Sequence, residues 1–472
     1  MKKFLFFAFV LCYGLVAFSQ VRLSGKISNF PPGSEIRLTC DNNPIEYDEI
    51  TLARANPDSS GYFYFNFTIP QPIRARLYIA GQYTDLFLMM NDSMHMIADY
   101  DRLDEVLHYQ GQGSANNNYM AADQRMKFNS KANTYYLYTD ADKYTVYMDS
   151  LENNNREFLL SHYDPGFTIE FRKYITATTK YRYVNPRWMF LISFNNKDRK
   201  FSEKTLPLEY FDFLKKIDLN DQDAASNSNY DIALMRYLFE FYDRDEWKKV
   251  PDSLDKIHAL EQGLTKIYEN RKKLFKEQVL DYQLTYFMKL NIVNVLEDSA
   301  FSTVLLNDYR HNCKNPEYIA IIDRVVSNEK NLLAEKPAPD FTATDMNGQT
   351  VSLSSLKGNL VFVDFWATWC VPCIASLPET AALAEKLKSR RDVAVLLVNV
   401  KDQQDKWEHY LAKNKPTGIN LYADKLQSDY IYKAYNFNGI PHYLLIGPNG
   451  RIISSTLSGP ADAEKLISQK KL

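Results

Sequence analysis

A chain of 472 residues is long enough for roughly two to four domains, each burying its own core. Its 45% hydrophobic and 24% charged residues are an ordinary globular composition, which excludes large-scale disorder. With 56 basic against 58 acidic residues the formal charge is −2, so nucleic-acid binding as the main activity, which needs a concentrated basic surface, is disfavoured.

The chain opens on a leader. Lys2 and Lys3 are followed by the apolar run Phe4 to Val16, and Ala17-Phe18-Ser19 puts small residues at the −3 and −1 positions before Gln20. This is the pattern of a cleavable secretory signal over 1–19. A retained anchor would need about 20 apolar residues, more than the run supplies. Lipidation at Cys12 is the other alternative, but Leu11 stands where a lipoprotein signal carries a small residue. Export with cleavage is expected, with no stable membrane insertion afterwards. It leaves Cys40, Cys313, Cys370 and Cys373, too sparse for a disulfide scaffold; Cys40 and Cys313 are expected to be isolated buried thiols.

Three zones follow. Residues 20–112 carry short alternating runs: in Tyr62 to Ile69, Phe63, Phe65, Phe67 and Ile69 share one face and Tyr62, Tyr64, Asn66 and Thr68 the other. That period predicts strands and a small all-β sandwich. In 113–335 the period becomes helical. Ile257, Leu260, Leu264 and Ile267 fall on one helix face, and "RYLFEFYDRDEWKKV" and "PEYIAIIDRVVSNEKNLL" also suit helices, so an all-α domain is expected. "AEKPAPDF", with Pro337 and Pro339, marks a linker. From 336 to 472 strands and helices alternate: "NLVFVDFW", a helical stretch and "VAVLLVNV" form a βαβ unit, and "HYLLIGPNGRIISSTLSG" is a hairpin. The acidic residues Asp99, Asp101, Asp104 and Glu105 lack the glycine and spacing of a calcium loop and are expected to be a solvated surface.

The chemistry is concentrated in "FWATWCVPC". A strand ending near Trp366, then Cys370-Val371-Pro372-Cys373, then a helix places both sulfurs at a helix N-terminus. Unpaired N–H groups and the positive end of the helix dipole stabilise a thiolate there. In such motifs the first thiol approaches a pKa of ~7 from ~8.5. Cys370, at the exposed edge, is the expected nucleophile and Cys373, one turn inward, the resolving thiol. Two cysteines at this spacing are also half of a zinc site, but the seven histidines show no pair to complete one, so no metal is expected. Peroxide chemistry with a single activated cysteine is a further alternative; the Pro-x-x-x-Thr-x-x-Cys arrangement it uses is absent.

"VFVDFWATWCVPC", Pro378, "GIPHYLLIGPNG" and the lead-in "APDFTATDMNGQTVSLSSLKG" together resemble the thioredoxin superfamily, and within it the exported TlpA/ResA-like branch grouped with AhpC/TSA domains. The resemblance covers roughly the last third of the chain. It implies a central sheet flanked by helices, a redox-active Cys370–Cys373 disulfide, and exchange through a mixed disulfide without a cofactor. Pro441 then matches the family's cis-proline, which with Ile440 and Trp369 would face the substrate, and Asp364 matches the buried acid that assists deprotonation of the resolving thiol. Trp366 is expected to wall the site with Trp369, and Pro378 to kink the helix. His442 stands where thioredoxins often carry threonine; it touches substrate, or shifts the Cys370 pKa, or is a surface histidine with no role. Glu379 is either an additional acid or a solvated helix residue. "GYFYFNFTI" and "DLFLMMNDSMHMIADY" resemble the DUF4369-type domain that precedes TlpA-like modules in exported proteins of Gram-negative bacteria, which implies architecture rather than activity.

The expected protein is therefore a periplasmic thiol-disulfide oxidoreductase acting on protein thiols and disulfides, re-reduced by a membrane-anchored electron donor, with cytochrome c maturation as a family process. A disulfide oxidase or isomerase, or a partner-binding protein using the fold as a scaffold, are the alternatives.

Overall fold

The computed structural model describes residues 20–41, 45, 49–129, 140–190, 208–243, 246, 249, 256–296, 299–436 and 439–469. The leader expected over 1–19 lies outside the described residues. The chain divides into two compact units, 1–249 and 250–472, so the helical stretch is shared between them.

The first unit begins with strands β1 (Gln20–Ser28), β2 (Ile36–Asp41), β3 (Glu49–Ala55), β4 (Tyr62–Thr68), β5 (Ile73–Ile79), β6 (Gln82–Leu88), β7 (Ser93–Asp99) and β8 (His108–Gln112). They form two four-stranded sheets, β4-β1-β7-β8 and β3-β2-β5-β6. Alternation decides the packing: Phe63, Phe65 and Ile69 are buried, while Tyr62 and Tyr64 are exposed. The inward rows, among them Leu23, Leu38, Leu77, Leu86 and Met96, meet in one core, as a sandwich requires. Gly61 permits the turn into β4. Its φ is +78°, and a Cβ there would lie 2.0 Å from the Ile27 carbonyl oxygen.

Helix α1 (Ser114–Asn129) closes both sheets with amide side chains. Asn117 accepts from Phe87 N–H at 2.9 Å and donates to the Phe87 carbonyl at 3.0 Å, and two turns further along the same face Gln124 pairs with Asp85 N–H and the Tyr83 carbonyl. Asn118 does the same for Tyr109 of β8. Edge strands β6 and β8 thus find substitute partners for their unpaired backbone groups. Helices α2 (Ala141–Ser161), α3 (Ile169–Tyr181) and α4 (Ser228–Leu238) follow. In the helix expected over 236–250, α4 runs to Leu238 and Phe239–Asp243 widen into a π-turn. This is the hydrogen-bond pattern that inserts a residue and moves the following side chains off the α-helical face.

The second unit starts with α5 (Lys256–Leu274), α6 (Glu277–Leu296), α7 (Ser299–Asn312) and α8 (Pro316–Asn331). Leu264 and Ile267 are buried as their spacing predicts and Leu260 is half-buried; the Ile257 side chain lies outside the described residues. The sheet comprises β9 (Thr342–Thr344), β10 (Thr350–Ser352), β11 (Leu360–Trp366), β12 (Val393–Asn399), β13 (Ile419–Tyr422), β14 (His442–Ile446) and β15 (Ile452–Ser454), in the order β10-β9-β13-β12-β11-β14-β15. β11 lies parallel to β12, β12 parallel to β13, and β14 antiparallel to β11. Every residue of β11 is buried, which explains its unbroken apolar run. Helices α9 (Val371–Leu387), α10 (Gln404–Asn414), α11 (Lys425–Ala434) and α12 (Pro460–Gln469) cover the sheet. Leu377, Trp407 and Ile467 of α9, α10 and α12 pack on one side with Phe362, and Ile431 of α11 on the other with Val363. The expected linker is zipped onto the sheet. Glu335 N–H donates to the Ile452 carbonyl, Ile452 N–H to that of Lys336, and Ala338 N–H to that of Gly450. Among the described residues no helix is long and apolar enough to cross a membrane.

Candidate redox site

β11 is an interior strand of the sheet, parallel to β12 and antiparallel to β14, and where it ends the chain turns into α9. Cys370 is the N-cap of that helix, with extended backbone, and Pro372 occupies its first turn, where a missing N–H costs nothing. The Cys373 N–H donates to Cys370 Sγ at 3.2 Å, so a sulfur takes the place usually held by a capping oxygen. The two cysteines form a disulfide, Cα atoms 5.2 Å apart.

One expectation is corrected. Cys370 does not stand at an open edge: it is 4% exposed, because the Ile440 carbonyl oxygen lies 3.6 Å from its sulfur across the gap to the loop before β14. The Ile440–Pro441 peptide is cis. Exposed around the disulfide are Trp369, at 58%, Val371, at 78%, and Pro372. Trp366 is fully buried, its ring 5.0 Å from that of Tyr410, in the core cluster that also holds Cys370 and Cys373.

The loop between β11 and α9 is clamped by a residue the sequence did not single out. Asp402 accepts from the Thr368 N–H and, at 3.0 Å, from the Thr368 hydroxyl, while Asn399 Nδ2 and the Gln403 N–H also donate to it. The Trp369 indole N–H donates to the Lys401 carbonyl at 2.9 Å, fixing the ring beside Cys370. The clamp spans 34 residues of sequence, and no local periodicity signals it.

Beneath α9 lies Asp364, 1% exposed. Its Oδ2 accepts from the Thr380 hydroxyl at 2.6 Å; its Oδ1 has no hydrogen-bond partner among the described residues. Burial raises its pKa to about 7, with the Thr380 bond pulling weakly the other way. Cys373, Leu377 and Thr380 share the buried face of α9, so the acid and the inner cysteine lie along one helix stripe. On the neighbouring strand Tyr443, in register with Asp364, donates to Ser376 Oγ, which donates to the Cys373 carbonyl.

His442 is half-buried rather than on the surface, and burial lowers its pKa to about 4. A neutral imidazole adds no cationic field at Cys370. Glu379 and Pro378 are exposed on α9. Cys40 and Cys313 are buried free thiols; burial pushes the pKa of both up, Cys40 to about 11, so neither is a nucleophile near neutral pH.

A disulfide-forming cysteine pair at the head of the helix that follows an interior parallel strand, overlaid by a cis-proline loop, makes this a thioredoxin-like domain built for thiol-disulfide exchange. The AhpC/TSA family model matches residues 334–455. The chain is 30% identical over 133 residues to the thiol-disulfide oxidoreductase ResA of Bacillus subtilis (strain 168), a match covering 28% of this chain and 72% of that relative. It is 33% identical over 124 residues to ResA of Geobacillus kaustophilus (strain HTA426), covering 26% and 69%. A crystal structure of a Bacteroides vulgatus protein described as a thiol-disulfide oxidoreductase is 28% identical, covering 29% of this chain and 97% of that one, with a TM-score of 0.28. The chain belongs to the AhpC/TSA family, among its ResA-like thiol-disulfide oxidoreductases.

Proposed function

We propose that the protein reduces disulfides of exported proteins at Cys370 and Cys373. The Cys370 thiolate attacks one sulfur of a substrate disulfide, forming a mixed disulfide and releasing the other substrate sulfur as a thiolate that takes up a proton. Cys373 loses its proton and attacks Cys370 Sγ; the second substrate thiol leaves and the Cys370–Cys373 disulfide remains. Two electrons and two protons from a dithiol donor, held at the membrane, return the pair to its reduced form. The observation that carries this reading is the Cys373 N–H aimed at Cys370 Sγ, which stabilises the thiolate of Cys370 over the thiol.

Asp364 takes the proton from Cys373 in this scheme. A carboxyl with a pKa near 7 shares a proton readily with a thiol near neutral pH. Thr380, which holds it, lies two helical turns, or about 10 Å, beyond Cys373, so the transfer runs through a bridging water or hydroxyl. Ile440 and Pro441 present backbone to the substrate, and Trp369 offers it an apolar ledge. The leader at 1–19 directs the chain to the periplasm, and the DUF4369-like sandwich (20–112) and the helical domain (113–335) select the substrate or donor, with cytochrome c maturation as one process this would serve.

The test is insulin reduction by wild type, Cys370→Ser and Cys373→Ser. Wild type turns over, Cys370→Ser is inactive, and Cys373→Ser accumulates a mixed disulfide visible on a non-reducing gel; equal activity in wild type and Cys370→Ser would overturn the reading. The potential of the pair against glutathione decides direction: a value near about −270 mV fits a reductase, and one near about −120 mV an oxidase.

A further inference from the structure

Helices α5–α8 belong to the same compact unit as the redox sheet, and α8 ends against it. Leu332, just beyond α8, is buried in the core on the α11 side, and the Ser455 hydroxyl donates to its carbonyl at 2.9 Å. One contact reaches further. Glu329, in the last turn of α8, is 8% exposed and accepts a hydrogen bond from Asn436 Nδ2, its one side-chain hydrogen bond among the described residues. Asn436 follows α11 in the left-handed region, φ +49°, a conformation asparagine tolerates better than most residues.

The position of Asn436 gives this contact its meaning. Four residues later comes Ile440, whose carbonyl faces Cys370 Sγ at 3.6 Å. A four-residue tether spans at most about 14 Å, so pinning Asn436 limits where the Ile440–Pro441 loop can sit. The same corner is held from a second side: the Tyr435 hydroxyl donates to the Pro339 carbonyl, and its ring packs on Phe341 and Phe365. Stability alone does not account for Glu329. Burying a carboxyl costs stability unless its charge is paired and hydrogen-bonded, and burial raises the pKa of Glu329, the sign of an environment that disfavours the charge.

We propose that Glu329 is a positioning residue for the redox site: through Asn436, α8 sets the place of the Ile440–Pro441 loop over Cys370 and so the affinity for protein disulfides. The inference rests on the redox reading above and extends it, giving the helical segment nearest the sheet a task in substrate binding.

Glu329→Leu, Glu329→Gln and Asn436→Gly in the full chain test it. Glutamine keeps the acceptor for Asn436; leucine removes it; glycine keeps the backbone conformation without the amide. Hydrogen exchange of the amides between Gly439 and Tyr443 is the readout independent of activity. It rises about tenfold in Glu329→Leu and Asn436→Gly, as loss of one buried hydrogen bond predicts, and stays at the wild-type rate in Glu329→Gln. In parallel, KM for insulin rises about fivefold in the first two variants, while the rate with a small disulfide such as oxidised glutathione stays within about twofold of wild type. If Glu329→Leu fails to fold, Asn436→Gly decides alone. Wild-type exchange and KM in a folded Glu329→Leu or in Asn436→Gly overturn the proposal, as does a Glu329→Gln variant that loosens equally. A wild-type protein that reduces neither disulfide would overturn the redox reading, and the exchange measurement would still decide the positioning.

Discussion

Asp364→Asn isolates the effect of a carboxyl sealed under the active-site helix. Folding raises its pKa from 3.8 to about 7, so the folded chain holds this proton more tightly than the unfolded chain. The contribution of Asp364 to stability is therefore greatest below about pH 4, is lost as pH rises from about 4 to about 7, and is level above that. At about 1.4 kcal/mol for each pH unit the loss amounts to about 4 kcal/mol. Asparagine still accepts from Thr380 but brings amide hydrogens to a place where Oδ1 has no partner among the described residues, a cost of about 1–3 kcal/mol that does not depend on pH. The two effects cross. Near pH 4 the variant is less stable than wild type by about 1–3 kcal/mol; at pH 8 it is more stable by a similar amount. Urea unfolding of the oxidised full chain, followed by tryptophan fluorescence from pH 4 to 8.5, measures the difference at each pH, and groups common to both proteins cancel. A difference that stays constant across the range would refute the burial argument. At pH 7 insulin reduction by the variant falls about 10- to 100-fold through a slower resolving step.

Asp402→Ala removes the acceptors of the Thr368 N–H and hydroxyl and lowers unfolding stability by about 1–3 kcal/mol, part of which Asp402→Asn restores; an unchanged melting temperature by calorimetry would show the clamp to be idle. Gly61→Ala forces a Cβ to within 2.0 Å of the Ile27 carbonyl at a positive φ. It destabilises the sandwich by at least about 1–3 kcal/mol, read as a lower circular-dichroism melting midpoint, and an unshifted midpoint would mean that the turn relaxes without strain.

Features that repeat over a few neighbouring residues were legible in the sequence. The aromatic alternation from Tyr62 to Ile69 is set by the two faces of one strand, and Cys370 and Cys373 lie in one helical turn, so strand, turn and thiols could be placed together from nine letters. What escaped is set by pairing between distant segments. Cys370 is covered by Ile440, 70 residues away. Thr380 is an unremarked polar letter in an apolar helix until Asp364 lies beneath it. The asparagines of "SANNNYM" carry no strand signal, yet Asn117 and Asn118 complete two sheet edges, because an amide side chain offers the same donor and acceptor as a peptide. At Phe239 the hydrophobic letters continue while the backbone changes pitch, so composition alone could not show where the α-helix ends.

The stretch from Glu335 to Ala338 has a practical consequence. Because it hydrogen-bonds along β15, it covers the outer edge of a seven-stranded sheet. Cutting the chain at its prolines, where the letters invite a cut, would expose a row of unpaired amides and carbonyls, a template for strand addition between molecules and for aggregation during expression. A fragment begun upstream of α8 keeps that edge covered.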